Sequence, residues 1–317
     1  MWIFITCLLI CCCLSVGVSC WLVRRADAAY PPTGQFIQVD GVRYHYRMAG
    51  EGMPVVLLHG SGASFEDYGY GVFDGLTRDF KVIAIDRPGH GYSGRPKGDV
   101  GAPASQARII RDVLHALAID AAIVVGHSWS GALALAHAMQ YPAHTSGLVL
   151  LQPTVYPQKK APSMMIKALA TPGLGFCLSY LMIPWAGRGA IRKTLQRAFA
   201  PDPIPSGYLE RAQSMWTRPG QARALAVDHV RRAATIEALG EHYHELTLPV
   251  SLVAGAADSF IDPAGQVVRL STMLADATIH TLGQAGHQIP QAHAEAVLHA
   301  IRELAARIAN PRRGQPT

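Results

Sequence analysis

The chain has few cysteines in the region where a disulfide framework would have to form. Five of its six cysteines lie within the first twenty residues, and only Cys177 lies beyond them. Disulfides therefore cannot cross-link the body of the chain. The body also lacks the C-x-x-C spacing of a metal site, and we predict no metal and no organic cofactor.

The sequence is also poor in charge, with 28 Lys and Arg against 22 Asp and Glu in 317 residues. The basic doublets Arg24-Arg25, Lys159-Lys160 and Arg312-Arg313 are scattered. They do not form the basic stripe, interleaved with aromatic residues, that binds nucleic acid. We therefore predict no nucleic-acid partner, and we interpret the doublets as solvated surface or as charge flanking a membrane.

Charge is absent altogether from residues 1–23, a run long enough to cross a bilayer as a helix. We interpret residues 1–29 as a membrane anchor or a signal segment. Arg24-Arg25 follow the run, which favours an uncleaved anchor with the remaining chain on the cytoplasmic side. Ala26-Asp27-Ala28 matches a signal-cleavage pattern, so an exported, cleaved form is the alternative.

The remaining chain, residues 30–317, has the composition of one large domain. A hairpin is predicted around Asp40-Gly41, and later apolar runs alternate with helix-length segments. This alternation indicates a parallel sheet covered by helices on both faces. The apolar runs are residues 54–58, 81–85, 121–125, 147–151, 249–254 and 278–282, with helices predicted over 108–117, 131–139 and 292–308.

The alternation stops between about residues 153 and 245, where nine prolines interrupt helix-compatible pieces and no clear buried strand appears. We interpret this segment as a helical cap inserted between strands. Residues 166–185 within it are strongly apolar. They could line an acyl pocket, rest on a membrane surface or simply pack the cap on the sheet.

The segment around Ser128 predicts a sharp turn between a buried strand and a helix. Gly126-His-Ser-Trp-Ser130 separates an apolar run from a helix of small residues, and Gly131 follows at once. A serine on such a turn, which is called a nucleophile elbow, stands above the sheet edge as an exposed nucleophile. The pattern departs from G-x-S-x-G only at Ser130, which is the next smallest residue.

A serine nucleophile needs a base within hydrogen-bonding reach and an acid that orients the base. His287 follows the last predicted strand, and Asp258 follows the strand before it, so both lie at the sheet edge where ligands bind. Asp262 is the second candidate for the acid and Asp86 the third. No acid follows residues 147–151, because Gln152 and Pro153 occupy that loop.

The other histidines are poorer candidates for the base. His242 and His244 lie in the cap, and His137, His293 and His299 lie on predicted helices, so none of these is on a loop at a strand end. His59, His90 and His127 are on the wrong side of Ser128 for the order Ser, Asp, His. We interpret His59, His90 and His127 as part of the loop scaffold.

Acyl transfer also needs backbone N–H groups that stabilise the oxyanion. Trp129, directly after the candidate nucleophile, can supply one N–H group, and the Gly60-Ser61-Gly62 loop can supply another from Ser61. The loop has neither a P-loop lysine nor the G-x-G-x-x-G spacing of a nucleotide site.

Taken in order, these motifs resemble the α/β-hydrolase superfamily over about residues 34–309. They are His59-Gly60, Asp86-Arg-Pro-Gly-His-Gly-Tyr-Ser93, Gly126-His-Ser-Trp-Ser-Gly131, Asp258 and Gly286-His287. The resemblance implies an eight-stranded, mostly parallel sheet with a helical cap after strand six. It also implies Ser128 as nucleophile, Asp258 as acid, His287 as base, and Ser61 and Trp129 as oxyanion donors.

Haloalkane dehalogenases and epoxide hydrolases of this superfamily carry aspartate where this chain has Ser128, so we expect neither activity. We expect a serine hydrolase that cleaves a carboxylic ester, and the apolar cap indicates that the ester has a hydrophobic part. One alternative is a carbon–carbon hydrolase of ring-cleavage products, with a cap arginine such as Arg188, Arg192 or Arg197 holding the substrate carboxylate. Another is a non-catalytic binding protein of the same fold. The expected partners are a small-molecule substrate and a membrane, which the N-terminal helix would enter; the sequence leaves the oligomeric state open.

Overall fold

The computed structural model describes residues 2–158 and 161–310, so Lys159-Lys160 and Arg312-Arg313 lie outside the described residues. Eight strands form one sheet in this part of the chain. They are β1 (Gln35–Val39), β2 (Val42–Ala49), β3 (Pro54–Leu58), β4 (Lys81–Ile85), β5 (Ala122–His127), β6 (Thr145–Leu151), β7 (Val250–Gly255) and β8 (Ala277–Leu282).

The strand order is β1-β2-β4-β3-β5-β6-β7-β8. Strands β3 to β8 pair in parallel, whereas β2 pairs antiparallel with both β1 and β4. The β1–β2 turn has positive φ at Asp40 (49°) and Gly41 (75°), as a tight two-residue hairpin requires. The predicted eight-stranded, mostly parallel sheet is confirmed.

Helices occupy both faces of the sheet and the insertion after β6. They are α1 (Trp2–Ala29), α2 (Val72–Leu76), α3 (Pro103–Ala116), α4 (Ser130–Gln140), α5 (Met164–Ala170), α6 (Leu174–Leu181), α7 (Ile183–Phe199), α8 (Tyr208–Met215), α9 (Pro219–Gly240), α10 (Arg269–Ser271), α11 (Ile289–Ala292) and α12 (Ala294–Ala309). Helix α3 begins five residues earlier than predicted, because Pro103 starts its first turn. The predicted last helix is divided at His293, whose backbone is not helical.

The alternation of side chains along the strands builds two apolar cores. On β3, Val56 and Leu58 pack on the side of α3 and α4, whereas Val55 and Leu57 pack on the side of α2 and α12. All four are fully buried. Replacing Leu57 with Ala would cost about 2–5 kcal/mol, because the sheet cannot close over the cavity.

The insertion between β6 and β7 holds α5 to α9 and forms the cap. It has a small core of its own around Leu195, Phe199 and Tyr208. A buried ion pair fastens it to the sheet, since Arg87 after β4 contacts Asp228 of α9 at 2.9 Å. The cap therefore lies over the carboxyl ends of the strands, where open parallel sheets bind ligands.

Candidate active site

The turn between β5 and α4 holds Ser128 in a conformation that few side chains adopt. Its φ is +54°, in the left-handed region. A Cβ atom on Gly126 would lie 2.3 Å from the Ser130 carbonyl oxygen, and one on Gly131 would lie 2.4 Å from Pro153 Cβ. Positions 126 and 131 must therefore both be glycine for the chain to turn this sharply.

Ser130, where the elbow pattern departs from glycine, is fully buried. Its Oγ donates a hydrogen bond of 2.5 Å to the His59 carbonyl oxygen. The serine thereby ties the elbow to the loop that follows β3. The substitution for glycine is accommodated because the hydroxyl has a buried acceptor.

The structure brings Ser128, His287 and Asp258 into one hydrogen-bonded chain. Ser128 Oγ lies 3.0 Å from His287 Nε2, and His287 Nδ1 lies 2.7 Å from Asp258 Oδ2. The three residues follow β5, β8 and β7, whose carboxyl ends meet at one edge of the sheet. This arrangement can move a proton from the serine hydroxyl to the imidazole while the carboxylate holds the ring.

Asp258 is held ionised by its hydrogen bonds. Burial alone would raise its pKa, but the bond and charge of His287 and the N–H groups of Phe260 and Ile261 outweigh burial and lower the pKa. The two N–H groups donate to Oδ1 at 2.6 and 3.1 Å. The carboxylate is thus fixed in position and in charge.

Gln152 is a residue of the site whose role was not predicted from the sequence, where it served only to exclude an acid after residues 147–151. It lies after β6 with a φ of +43°, and its Nε2 donates to Asp258 Oδ2 at 2.6 Å and to the Gly255 carbonyl at 3.1 Å. The available signal was its place at the carboxyl end of a buried strand. An amide there can hold the carboxylate of the next strand.

The other candidate acids do not contact His287 in residues 2–158 and 161–310. Asp262 Oδ1 accepts a hydrogen bond from the Ala264 N–H group at 3.1 Å and so caps its own turn. Asp86 is buried and lies 2.7 Å from His45 Nδ1. Both carboxylates therefore stabilise loops.

The histidines interpreted as scaffold are buried beside the site. Burial lowers the pKa of His127 to about 3, and its Nε2 donates to the His287 carbonyl oxygen at 2.9 Å. Burial, with the nearby charge of Arg87, also lowers the pKa of His59 to about 3. Both rings are therefore neutral at neutral pH, and the hydrogen bond from His127 positions the His287 loop.

Arg87 positions the loop that contains Ser61. Its guanidinium donates to the His59 and Gly60 carbonyl oxygens at 3.1 and 3.2 Å, and it lies 4.1 Å from the Trp129 ring. In a trans peptide the N–H group points opposite to the carbonyl, so the Ser61 N–H points away from Arg87. In the described part of the chain, the Ser61 and Trp129 N–H groups have no hydrogen-bond acceptor.

A large pocket lies between the cap and the sheet edge, with a volume of about 1010 Å³. Ser61, Ser128 and His287 line its floor. Its walls are mainly apolar and come from the cap and from the loop after β7. The apolar wall residues include Met165, Ile166, Leu169, Ile183, Ile191, Leu195, Trp216, Leu225 and Phe260.

Three arginines also line the pocket: Arg197, Arg232 and Arg269. Arg188 and Arg192 do not line it, although the sequence analysis named them with Arg197. Desolvation lowers the pKa of Arg232 to about 10, so it remains a cation at neutral pH. Its Nη2 donates to Gln158 at 3.2 Å, and within the described residues it has no carboxylate partner.

Asp67, also on the pocket wall, is a buried acid that the sequence analysis missed. Burial raises its pKa from 3.8 to about 7, although the hydrogen bond from Tyr208 and the charge of Arg211 act in the opposite direction. Tyr208 Oη donates to Oδ1 at 3.0 Å, whereas Oδ2 has no partner in the described chain. Nothing in the residue pattern distinguished it from a surface aspartate.

Among the residues that the structure describes, one group of side chains away from Ser128 could hold a metal ion. His280 on β8 and His299 and Glu303 on α12 bring their ligand atoms within 4.8 Å of one another. The group lies at the surface. Its residues come from two elements, so no short sequence motif indicated it. None of its members lines the pocket.

Comparisons with known proteins agree with this architecture. Residues 53–173 match the family model described as alpha/beta hydrolase fold. An uncharacterised protein of Mycobacterium tuberculosis is 40% identical over 41% of this chain and 37% of that protein, so this chain spans little more than a third of that relative. The 2-hydroxymuconate semialdehyde hydrolase of Pseudomonas putida is 29% identical, covering 89% of this chain and 97% of that protein.

Among solved structures, an alpha/beta hydrolase fold protein from Burkholderia ambifaria superposes with a TM-score of 0.72. It is 23% identical, and the match covers 85% of this chain and 97% of that protein. At this identity, the similarity is evidence for a common fold alone.

Proposed function

Because this chain belongs to the α/β-hydrolase superfamily, we propose that it is a serine hydrolase that cleaves a carboxylic ester with a hydrophobic part. The observation that carries the proposal is the hydrogen-bonded chain from Ser128 Oγ through His287 to Asp258. A folded protein that only bound a ligand would not need this complete set of three.

In the proposed mechanism, Ser128 Oγ attacks the ester carbonyl carbon while its proton passes to His287 Nε2. Asp258 orients the ring and stabilises the imidazolium. The Ser61 and Trp129 N–H groups stabilise the oxyanion of the tetrahedral intermediate. The leaving alcohol takes the proton from His287, and an acyl-enzyme remains on Ser128.

In the second half of the reaction, His287 accepts a proton from water, and the resulting hydroxide attacks the acyl carbon. The tetrahedral intermediate then collapses, Ser128 recovers its proton and the acid leaves. The mainly apolar pocket of about 1010 Å³ supports a substrate with a hydrophobic acyl or alcohol group. The residues already described supply every proton transfer in this scheme.

Hydrolysis of a carbon–carbon bond in a ring-cleavage product is the second candidate. Its specific support is two cations on the pocket wall, Arg197 and Arg232, either of which could hold a substrate carboxylate. The Pseudomonas relative, whose name denotes hydrolysis of a 2-hydroxymuconate derivative, also favours it. Ester cleavage remains our first proposal because the pocket wall is predominantly apolar.

The test begins with a fluorophosphonate probe on the full chain, followed by peptide mass mapping. We expect one adduct on Ser128, which Ser128→Ala should lack. Turnover is then compared on medium-chain esters and on a chromogenic ring-cleavage product. Faster turnover of the ring-cleavage product would replace the ester proposal, and a folded wild-type chain without adduct would remove both.

A further inference from the structure

The exposed apolar side chains of this protein are concentrated on two neighbouring elements. All but four of the large ones in residues 2–158 and 161–310 lie on α1 or between α5 and the start of α7. On the cap, Met164 is 79% exposed, Trp185 66% and Phe176 53%. We name the cap part the docking face, and it consists of Met164, Met165, Leu174, Phe176, Met182 and Trp185.

Helix α1 is hydrogen-bonded to the cap beside the docking face. Ser15 Oγ lies 3.3 and 3.2 Å from the Tyr180 and Leu181 carbonyl oxygens, and Ser19 Oγ donates to that of Tyr180 at 2.6 Å. Trp185 Nε1 donates to Ser15 Oγ at 3.1 Å. The second half of α1 is therefore attached to α6 and α7.

This attachment limits how α1 can enter a bilayer. The residues before Ser15 form a helix of about 20 Å, at about 1.5 Å per residue. A hydrocarbon core of about 30 Å needs about 20 helical residues. The free half is too short, so a membrane-spanning α1 would bring Tyr180 and Trp185 to the lipid surface.

The segment that carries the docking face has charge of one sign. Residues 153–201 contain seven Lys and Arg and no Asp or Glu. The described basic side chains are exposed: Lys167, Arg188, Arg192, Lys193 and Arg197. Cations around an apolar, tryptophan-containing surface complement the headgroups of anionic phospholipids.

The pocket reaches the surface at the same place. Met165 is 44% exposed and also lines the pocket, as do Ile183, Gly187 and Ala190 at the start of α7. The pocket wall and the docking face therefore share α5 and α7.

We propose that the docking face rests on an anionic phospholipid bilayer and that the pocket opens toward the lipid between α5 and α7. The protein would then take its substrate from the membrane rather than from water. The class of substrate, a membrane-partitioned ester, rests on the proposed function. The docking itself does not, because it follows from the exposed residues, the charge and the attachment of α1.

The first experiment measures whether Trp185 touches lipid, without using activity. The full chain is reconstituted in phosphatidylcholine–phosphatidylglycerol vesicles with plain or brominated acyl chains. The Trp185 signal is the difference in fluorescence between the wild type and Trp185→Phe. Docking predicts that bromine removes at least half of this difference. An unchanged difference would overturn the proposal, because Trp185 would then face water or a protein partner.

The second experiment measures the consequence for turnover. We expect Phe176→Glu to slow hydrolysis of a long-chain ester in anionic vesicles at least fivefold and to leave a soluble short-chain ester unchanged. Ile279→Glu, a matched change at an exposed apolar residue of β8, should alter neither rate. Equal rates for wild type and Phe176→Glu on both esters would contradict delivery from the membrane.

The two experiments separate the two proposals. If the wild type hydrolyses neither ester, the proposed function fails, while Trp185 quenching still decides the docking. If both esters are hydrolysed and Trp185 is not quenched, the docking fails alone. In vesicles of phosphatidylcholine alone, brominated acyl chains should quench the Trp185 fluorescence less, because the basic side chains lose their anionic lipid partners.

Discussion

The sheet edge at Ser128 and the cap helices α5 to α7 hold their side chains in opposite ways. At the edge, Ser130, Gln152 and Asp258 each make hydrogen bonds that leave their side chains little freedom. On the cap, Phe176 and Trp185 expose more than half of their surface. We therefore expect the edge to determine the chemistry and the cap to determine which molecules reach it.

The largest effect should come from changing the acid at the edge. In Asp258→Asn, an amide N–H would face His287 Nδ1, the ring would carry its proton on Nε2, and Ser128 would lose its base. We expect kcat on a soluble ester to fall about 10³-fold or more. Steady-state kinetics check this.

Asp262→Asn is the matched control, because Asp262 lies four residues away on the same loop and lines the pocket. It does not contact His287, so its kcat should remain within about threefold of the wild type. If the two variants lost activity equally, the assignment of the acid to Asp258 would be wrong.

A smaller effect should come from Gln152, which positions Asp258 without being placed to touch substrate. Gln152→Leu removes the 2.6 Å hydrogen bond to Asp258 Oδ2 and leaves the carboxylate with fewer donors. We expect kcat to fall about tenfold with little change in KM. Activity at acid pH should fall by more than this, because the Asp258 carboxylate with fewer donors is protonated more readily.

Gln158→Leu, the same substitution at a residue of the pocket wall, is the matched control for Gln152→Leu. Gln158 accepts a hydrogen bond from Arg232 and makes no contact with Asp258. We expect this change to alter KM more than kcat. A purely structural role for Gln152 would lower stability without moving the pH profile.

The contrast between edge and cap also separates what the sequence allows one to predict. The carboxyl ends of parallel strands lie at the same edge of a sheet. The approach of Ser128, Asp258 and His287 to one another could therefore be predicted from their positions after β5, β7 and β8. Ser61 could be placed at the same edge because it follows β3. Local pattern was sufficient because the sheet provides the long-range order.

The remaining features depend on how helices turn and pack. Gln152 reaches Asp258 only because its φ is positive, which its sequence neighbours do not reveal. The prolines of the cap set the directions of its helices, so periodicity did not indicate that Arg232 lines the pocket while Arg188 does not. The contact of α1 with α6 depends on two serines whose acceptors lie 161 and more residues away.

A cap substitution should change selectivity and leave chemistry intact. Ile191 of α7 lines the pocket, and Ile191→Trp would fill part of it. We expect kcat/KM for a long-chain ester to fall about tenfold while a short-chain ester changes less than about twofold. Ile279→Trp on β8 should alter neither, and a uniform loss on both esters would mean that Ile191→Trp disturbs the edge.

The smallest effect should be on stability, at the junction of the two regions where Asp67 meets Tyr208 of the cap. The folded pKa of Asp67 is about 7 and its ordinary value is 3.8, because burial opposes the charge. Between these values the unfolded chain has lost the proton and the folded chain retains it. Stability therefore falls as pH rises from about 4 to about 7 and changes no further above that pH.

Asp67→Asn removes this titration, so the variant should gain stability relative to the wild type as pH rises. A shift of this size corresponds to at most about 4 kcal/mol, since one pKa unit is about 1.4 kcal/mol. We expect the difference in Tm between variant and wild type to grow by about 5 °C from pH 5 to pH 8. Asp74→Asn, at a side chain that is 67% exposed, should show no such growth. A pH-independent difference for Asp67→Asn would mean that Asp67 is ionised in the folded protein throughout, with its charge stabilised by the Tyr208 hydroxyl.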